Sequence, residues 1–256
     1  MEILGRPIEE SALNARLDAL VVRHARAGSG AMEVLNLIGA QAEGLLDRLP
    51  PGARARLGTV TERALLGAAE AAHGTRASVP DMSQRRTRLL TTVMGAAGGA
   101  GGLPTALAEL PVTVTVLLRA IQDEAAGHGF DPAEPGVRFA SVEVFGTAGP
   151  LSDDDGAELG FVGARVTLTG AALRALIARV APRLAVALGQ KLAAQSVPLL
   201  GAAAGAATNY AYTRYYQDMA HVHFGLRRLA IEADRDPKEV VEAFRTRAGA
   251  GRVTRK

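Results

Sequence analysis

The chain has 256 residues, enough for one large or two small domains and for a substantial core without staples. It contains no cysteine, which excludes a disulfide framework, a thiol nucleophile and a thiolate-held zinc, and it fits a reducing, cytoplasmic compartment. Its 29 basic against 26 acidic side chains leave a net charge of +3 that is spread along the sequence, so the basic balance does not by itself mark a nucleic-acid partner.

Aromatics make up 4% of the chain and tryptophan is missing, while alanine, leucine and glycine dominate. Core volume must then come from closely approaching helices, and an all-α, multi-helix bundle is expected. The opening MEILGRPIEESALNARL carries glutamates where an export signal would carry a basic start and an apolar run, so export is not expected. Helices are predicted near 7–27, 31–48 and 53–73, with seams at Pro50-Pro51-Gly52 and between Gly74 and Pro80. The second seam makes residues 1–80 a candidate N-terminal helical cap on a single domain that extends to residue 245.

A helix near 82–101 follows, opening with Arg85, Arg86 and Arg88 and running into an uncharged stretch from Leu89 to Ala108. A segment at 105–109 leads into a helix at 111–127, and Gly129 suits a left-handed stop behind it. Asp131-Pro132-Ala133-Glu134 has the form of a helix start, with aspartate at the N-cap, proline at N1 and glutamate at N3, and predicts a helix over 132–147. Asp236-Pro237-Lys238-Glu239 repeats it before a helix over 237–247. Thr59 with Glu62 and Ser152 with Asp155 follow the same logic. Val112 to Val116 and Val142 to Phe145 are β-branched, but their continuity with helical flanks makes both helical. Further helices are expected at 152–167, 171–196 and 198–232, and the basic residues 246–256 form an expected disordered tail.

Two uncharged runs, Leu89 to Ala108 and Leu192 to Thr213, reach membrane-spanning length. Alanine, glycine and threonine supply little transfer energy, and proline interrupts each run, so a spanning helix is not expected. Gly95, Gly98, Gly99, Gly101 and Gly102 in the first run, and Gly201 and Gly205 in the second, let helix backbones approach closely. A buried packing seam, a shallow membrane-associating hairpin and a flexible gate all fit this composition. Together with Arg85, Arg86 and Arg88, the glycines make a candidate membrane-associating region, and an anionic membrane surface or a membrane protein is the expected partner. Nucleic acid is not, because no aromatic side chains interleave with the arginines to stack bases.

At 100° per residue, Asn209, Tyr216, Ala220, His223 and Arg227 align in one narrow stripe on the last long helix, while His221 and Arg228 point to its side. With Gln217 on the same helix, and Glu109 and Arg119 from the helix around Pro111, they form a candidate polar site. A satisfied network that holds helix register and a ligand or hydrolase site between 111–127 and 198–232 are the two readings of it. His221 and His223 diverge on a helix, HExxH is absent, and neither a GxSxG elbow nor a GxxxxGK[ST] loop occurs. No metal or other cofactor is expected on these grounds, and no catalytic residue set is defined.

Glu109-Leu110-Pro111, Leu118-Arg119-Ala120-Ile121, Val142-Glu143-Val144-Phe145, Lys191 with Gln195, Pro198 and Gly201 through Asn209, and Gln217-Asp218-Met219-Ala220 with His223-Phe224 and Arg227-Arg228 together make a composite pattern. On these residues the chain resembles the EcsC family over about residues 35–245. Ile231-Glu232-Ala233 departs from the pattern, which places a glutamate closer to the arginine pair. The resemblance implies a bacterial helical protein, encoded in some genomes beside the Ecs ABC transporter, with membrane association or hydrolase activity suggested and no established reaction. The leading expectation is therefore a non-enzymatic, membrane-associated accessory protein linked to transport or secretion.

Overall fold

A computed structural model describes residues 7–37, 47, 49–75, 83–100, 102–146, 170–195 and 201–253. Its elements are α1 (Glu10–Leu37), α2 (Pro51–Thr75), α3 (Gln84–Ala100), α4 (Gly102–Gly127), α5 (Pro135–Val144), α6 (Gly170–Gln195), α7 (Gly201–Glu232) and α8 (Pro237–Val253), with no strand among the described residues. The helix expected at 152–167, with Ser152 and Asp155, lies outside the described residues.

Local chemistry explains most of the boundaries. The Asp236 carboxylate accepts from the Lys238 amide at 2.8 Å, and Pro237 fills the first helical position, where no amide partner is needed. Gly129 takes φ +79° behind α4, and its amide reaches the Ala126 carbonyl while the Phe130 amide reaches Ala125. This double bond pattern closes the helix end and fixes His128 as its last, half-in residue. Asp234, at φ 50°, closes α7 the same way through Asp234 to Ile231 and Arg235 to Ala230.

Several boundaries differ from the sequence expectation. α5 begins at Pro135 rather than at 132, because a proline disfavours helical geometry in the residue before it, and Glu134 is extended at ψ 133°. Asp131 instead caps a turn, accepting from the Ala133 amide at 2.8 Å. α1 runs unbroken through Gly28 and Ser29, where a gap between two helices was expected, and the Ser29 hydroxyl donates to the Ala25 carbonyl. Thr59 and Glu62 lie inside α2, which starts eight residues earlier on the Pro50 carbonyl. α8 continues to Val253, past the boundary set at 245, and Arg247 pairs with Asn14 and Asp18 of α1.

α7 is the hub, packed against α1, α3, α4, α5, α6 and α8, while α2 rests on α4 and α6. Its Tyr212, Tyr216, Met219, Phe224 and Leu226 are buried and join Leu17, Leu65, Leu117, Phe145 and Leu188 in one core. The α3–α7 contact is the most extensive. Its closeness shows at Gly95, where a Cβ would lie 2.2 Å from the Gly205 carbonyl oxygen, while toward α4 a Cβ on Gly98 would lie 1.8 Å from Glu109 Oε2. Among the expected uses of the glycines, Gly95, Gly98 and Gly205 thus serve the buried seam.

Candidate functional site

Because a straight helix returns to nearly the same side every four residues, α7 presents two polar rows to different neighbours. The first, Asn209, Thr213, Gln217 and His221, meets α3 and α4. Asn209 Nδ2 donates to the Thr91 carbonyl at 2.8 Å and to Glu109 Oε1 at 3.0 Å. Thr213 donates to the Thr91 hydroxyl at 2.8 Å, and Gln217 Nε2 donates to the Gln84 carbonyl at 3.3 Å.

The lower end of this row is a buried ion cluster. Lys191 of α6 is wholly enclosed, with Nζ 3.6 Å from Glu109 Oε1 and 3.3 Å from the Thr113 hydroxyl, which itself donates to Glu109 at 3.0 Å. Burial pulls the ammonium pKa down to about 8 against the opposing pull of Glu109. Four helices, α3, α4, α6 and α7, therefore meet on one carboxylate. Glu109 Oε2 and Asn209 Oδ1 have no hydrogen-bond partner among the described residues.

The upper end is chemically different. Glu124 and His128 stand one turn apart on α4, and His221 of α7 reaches between them. His221 Nδ1 lies 3.2 Å from Glu124 Oε2 and 3.3 Å from His128 Nε2, while Gln84 Nε2 donates to Glu124 Oε1 at 2.5 Å. Burial, and next the neighbouring His221, lowers the His128 pKa. His128 and His221 face a cavity of about 540 Å3 that Arg16, Leu20, Gly225 and Arg228 also line. Gly225 lets its walls approach, since a Cβ there would sit 2.8 Å from Leu20 and 3.4 Å from the His128 ring. Across the cavity, Glu232 bridges Arg16 and Arg228, the latter at 2.6 Å.

The second row turns toward α5. Tyr216 is buried edge-on to Phe145 at 5.2 Å, and its hydroxyl has no hydrogen-bond partner among the described residues. Arg227 covers the Phe130 ring at 4.9 Å. Burial lowers its pKa, against Glu134 and Glu143, which favour the charge. Glu143 is pushed up to about 8 by burial, despite Arg227 and Arg179. His223 is buried, and desolvation with the Arg227 charge behind it brings it down to about 4.

The residues grouped from sequence as one polar site therefore fall into separate places. Glu109 and Asn209 meet. His223 stands 14 residues further along α7, about 21 Å away by helical rise, so it does not join them. Arg119 is held by Asp123 at 3.4 Å on its own helix, and Gln217 belongs to the α3-facing row. His221 and its partners Glu124 and His128 were missed. Comparing His221 only with His223 hides its partners on another helix, although the Glu124-to-His128 spacing of four was a readable signal.

On the outside of the same bundle, α3 turns Arg85, Arg86, Leu89, Leu90 and Val93 to solvent, with Leu89 66% and Val93 59% exposed. Arg88 instead folds back on Gln84 at 2.9 Å and lines a groove of about 790 Å3 with Arg23, Arg26 and Arg214. Gly95 and Gly98 are buried and leave this outward face to leucine and valine, while the surroundings of Gly99, Gly101, Gly102 and Gly201 lie outside the described residues.

Residues 75–229, from the last residue of α2 to within three residues of the end of α7, match the EcsC protein family. The chain belongs to that family. No curated protein and no solved structure matches it. Both polar rows, the Glu124–His128–His221 cluster and the α3 face lie within the EcsC match, whereas Arg16 and Glu232 of the cavity's far wall lie outside it.

Proposed function

We propose that this EcsC-family protein is a peripheral, non-enzymatic accessory at the cytoplasmic face of the membrane, docking on anionic phospholipid through the outer face of α3. The observation that carries the reading is the side-by-side exposure of Leu89, Leu90 and Val93 with Arg85 and Arg86 on one helix face. Apolar side chains of this kind are left in water at a cost, and two arginines beside them match a negatively charged surface. No described helix is long and apolar enough to cross a membrane, so the contact in this reading is shallow. A link to an ABC transporter or secretion process is supported by the family resemblance alone.

Full immersion of a leucine or valine is worth about 1.5–3 kcal/mol and a basic residue near an anionic surface about 1 kcal/mol. Partial burial of three such side chains with two arginines gives weak, reversible attachment. Co-sedimentation with phosphatidylglycerol-rich and phosphatidylcholine-only vesicles across a salt series tests it. Binding to the anionic vesicles that weakens with salt, and is lost in a Leu89→Glu, Val93→Glu double variant, is expected. Absence of binding at every salt concentration, or undiminished binding by the double variant, removes the proposal.

A further inference from the structure

Behind the same end of α3, on its inward side, α4 and α7 bring a second chemistry together. We infer that Glu124, His128 and His221 form a binding site for one divalent transition-metal ion, with zinc the best-suited cation and the open coordination positions facing the α1–α4–α7 cavity. One donor atom from each of the three lies within 4.8 Å of the others. Two of the separations are 3.2 and 3.3 Å. Around a tetrahedral ion with bonds of about 2.0–2.1 Å, neighbouring donor atoms stand about 3.3–3.4 Å apart, so these edges need little adjustment.

The three atoms are also of the right kind. Two imidazole nitrogens and a carboxylate oxygen suit zinc, cobalt, nickel or ferrous iron, whereas magnesium and calcium favour all-oxygen shells. Without an ion, no tautomer of His221 satisfies both contacts well, since its one Nδ1 faces Glu124 Oε2 and His128 Nε2 together and can donate to or accept from only one of them in good geometry; a cation engages all three lone pairs at once.

The supporting structure is built rather than fortuitous. The left-handed Gly129 and its paired amide bonds fix His128 at the end of α4. Glu124 is buried, one turn earlier on the same face, and the Gln84 amide of α3 holds its second oxygen as an outer-shell partner would. The two imidazoles border the cavity, so the ion has an entry path and room for water or a small ligand. Three protein ligands beside an open position is the arrangement of zinc sites that bind exogenous ligands rather than purely structural ones. This inference is independent of lipid docking, which uses the outward face of α3.

The full chain, stripped with chelator, is titrated with zinc by calorimetry and with cobalt by visible absorption. One equivalent binding with an intense tetrahedral cobalt spectrum is expected, with zinc affinity reduced at least ~100-fold in His128→Ala and His221→Ala, and about 10–100-fold in Gln84→Ala. Glu124→Gln keeps the shape and guards against a variant that fails to fold; it should lose affinity while its circular dichroism matches the wild type. No binding near one equivalent, unchanged zinc affinity in His221→Ala or Glu124→Gln, or equal competition by magnesium overturns the assignment.

Discussion

Substituting Gly95 with alanine tests whether the α3–α7 seam is set by backbone contact. Alanine favours a helix by about 1 kcal/mol over glycine, so propensity alone predicts a gain. The new Cβ would lie 2.2 Å from the Gly205 carbonyl oxygen and 2.7 Å from the Asn209 amide. A side-chain tip could swing aside, but a helix carbonyl cannot, and the two helices must part by roughly 1 Å. Overpacking of this kind costs about 1–3 kcal/mol. The same movement stretches the 2.8 Å bonds from Asn209 to the Thr91 carbonyl and from Thr213 to Thr91, each worth about 1 kcal/mol net. After the propensity gain, the variant should lose about 2–4 kcal/mol, and its melting point should fall by about 5–15 °C. Gly67→Ala is the control, because that glycine lies in mid-helix with nothing within 4 Å of its would-be Cβ, and it should gain up to about 1 kcal/mol. Urea and thermal melts followed by circular dichroism compare the two. Equal stabilisation of both variants would refute the seam argument.

His223 has a folded pKa depressed to about 4, so the unfolded chain takes up its proton first and stability falls as pH drops from about 6.5 toward 4. His223→Gln should flatten that limb of the urea-derived stability profile by at most roughly 3 kcal/mol, and an unchanged slope would contradict a neutral buried imidazole. Glu143 acts in the opposite direction: raised to about 8, it holds its proton longer in the folded state, and its contribution is lost as pH rises from 4.5 through 8. Glu143→Gln should therefore gain on the wild type between pH 5 and pH 8, and a constant difference across that window contradicts the shift. Asp236→Ala removes the cap on the Lys238 amide and should cost about 1 kcal/mol, read from the denaturation midpoint, while Asp236→Asn should cost little.

What was legible in the sequence was local. Asp236-Pro237 placed a helix start and Gly129 a helix stop, because each rests on amides within a few residues of the chain. Val112 to Val116 are helical as expected, and Val142 to Val144 likewise, whereas Phe145 caps the end of α5 short of the expected 147. Where two local signals competed, the reading slipped: Pro135 displaced the start assigned to Asp131, and Gly28 weakened α1 without ending it because burial of Leu17, Leu20 and Ala27 holds the helix against α7 and α8.

Composition also indicated that helices would pack closely through glycine, and at Gly95 a backbone carbonyl leaves no room for a Cβ. The sequence further placed a row of polar groups on α7, but not which neighbour each member meets. Asn209 finding Glu109, and His221 finding Glu124 and His128, depend on how far α7 slides and rotates against α3 and α4. Contacts separated by about a hundred positions in the chain are set by that rigid-body fit. Helical periodicity records only the direction in which a side chain leaves its own axis, and tertiary packing alone supplies the partner waiting there.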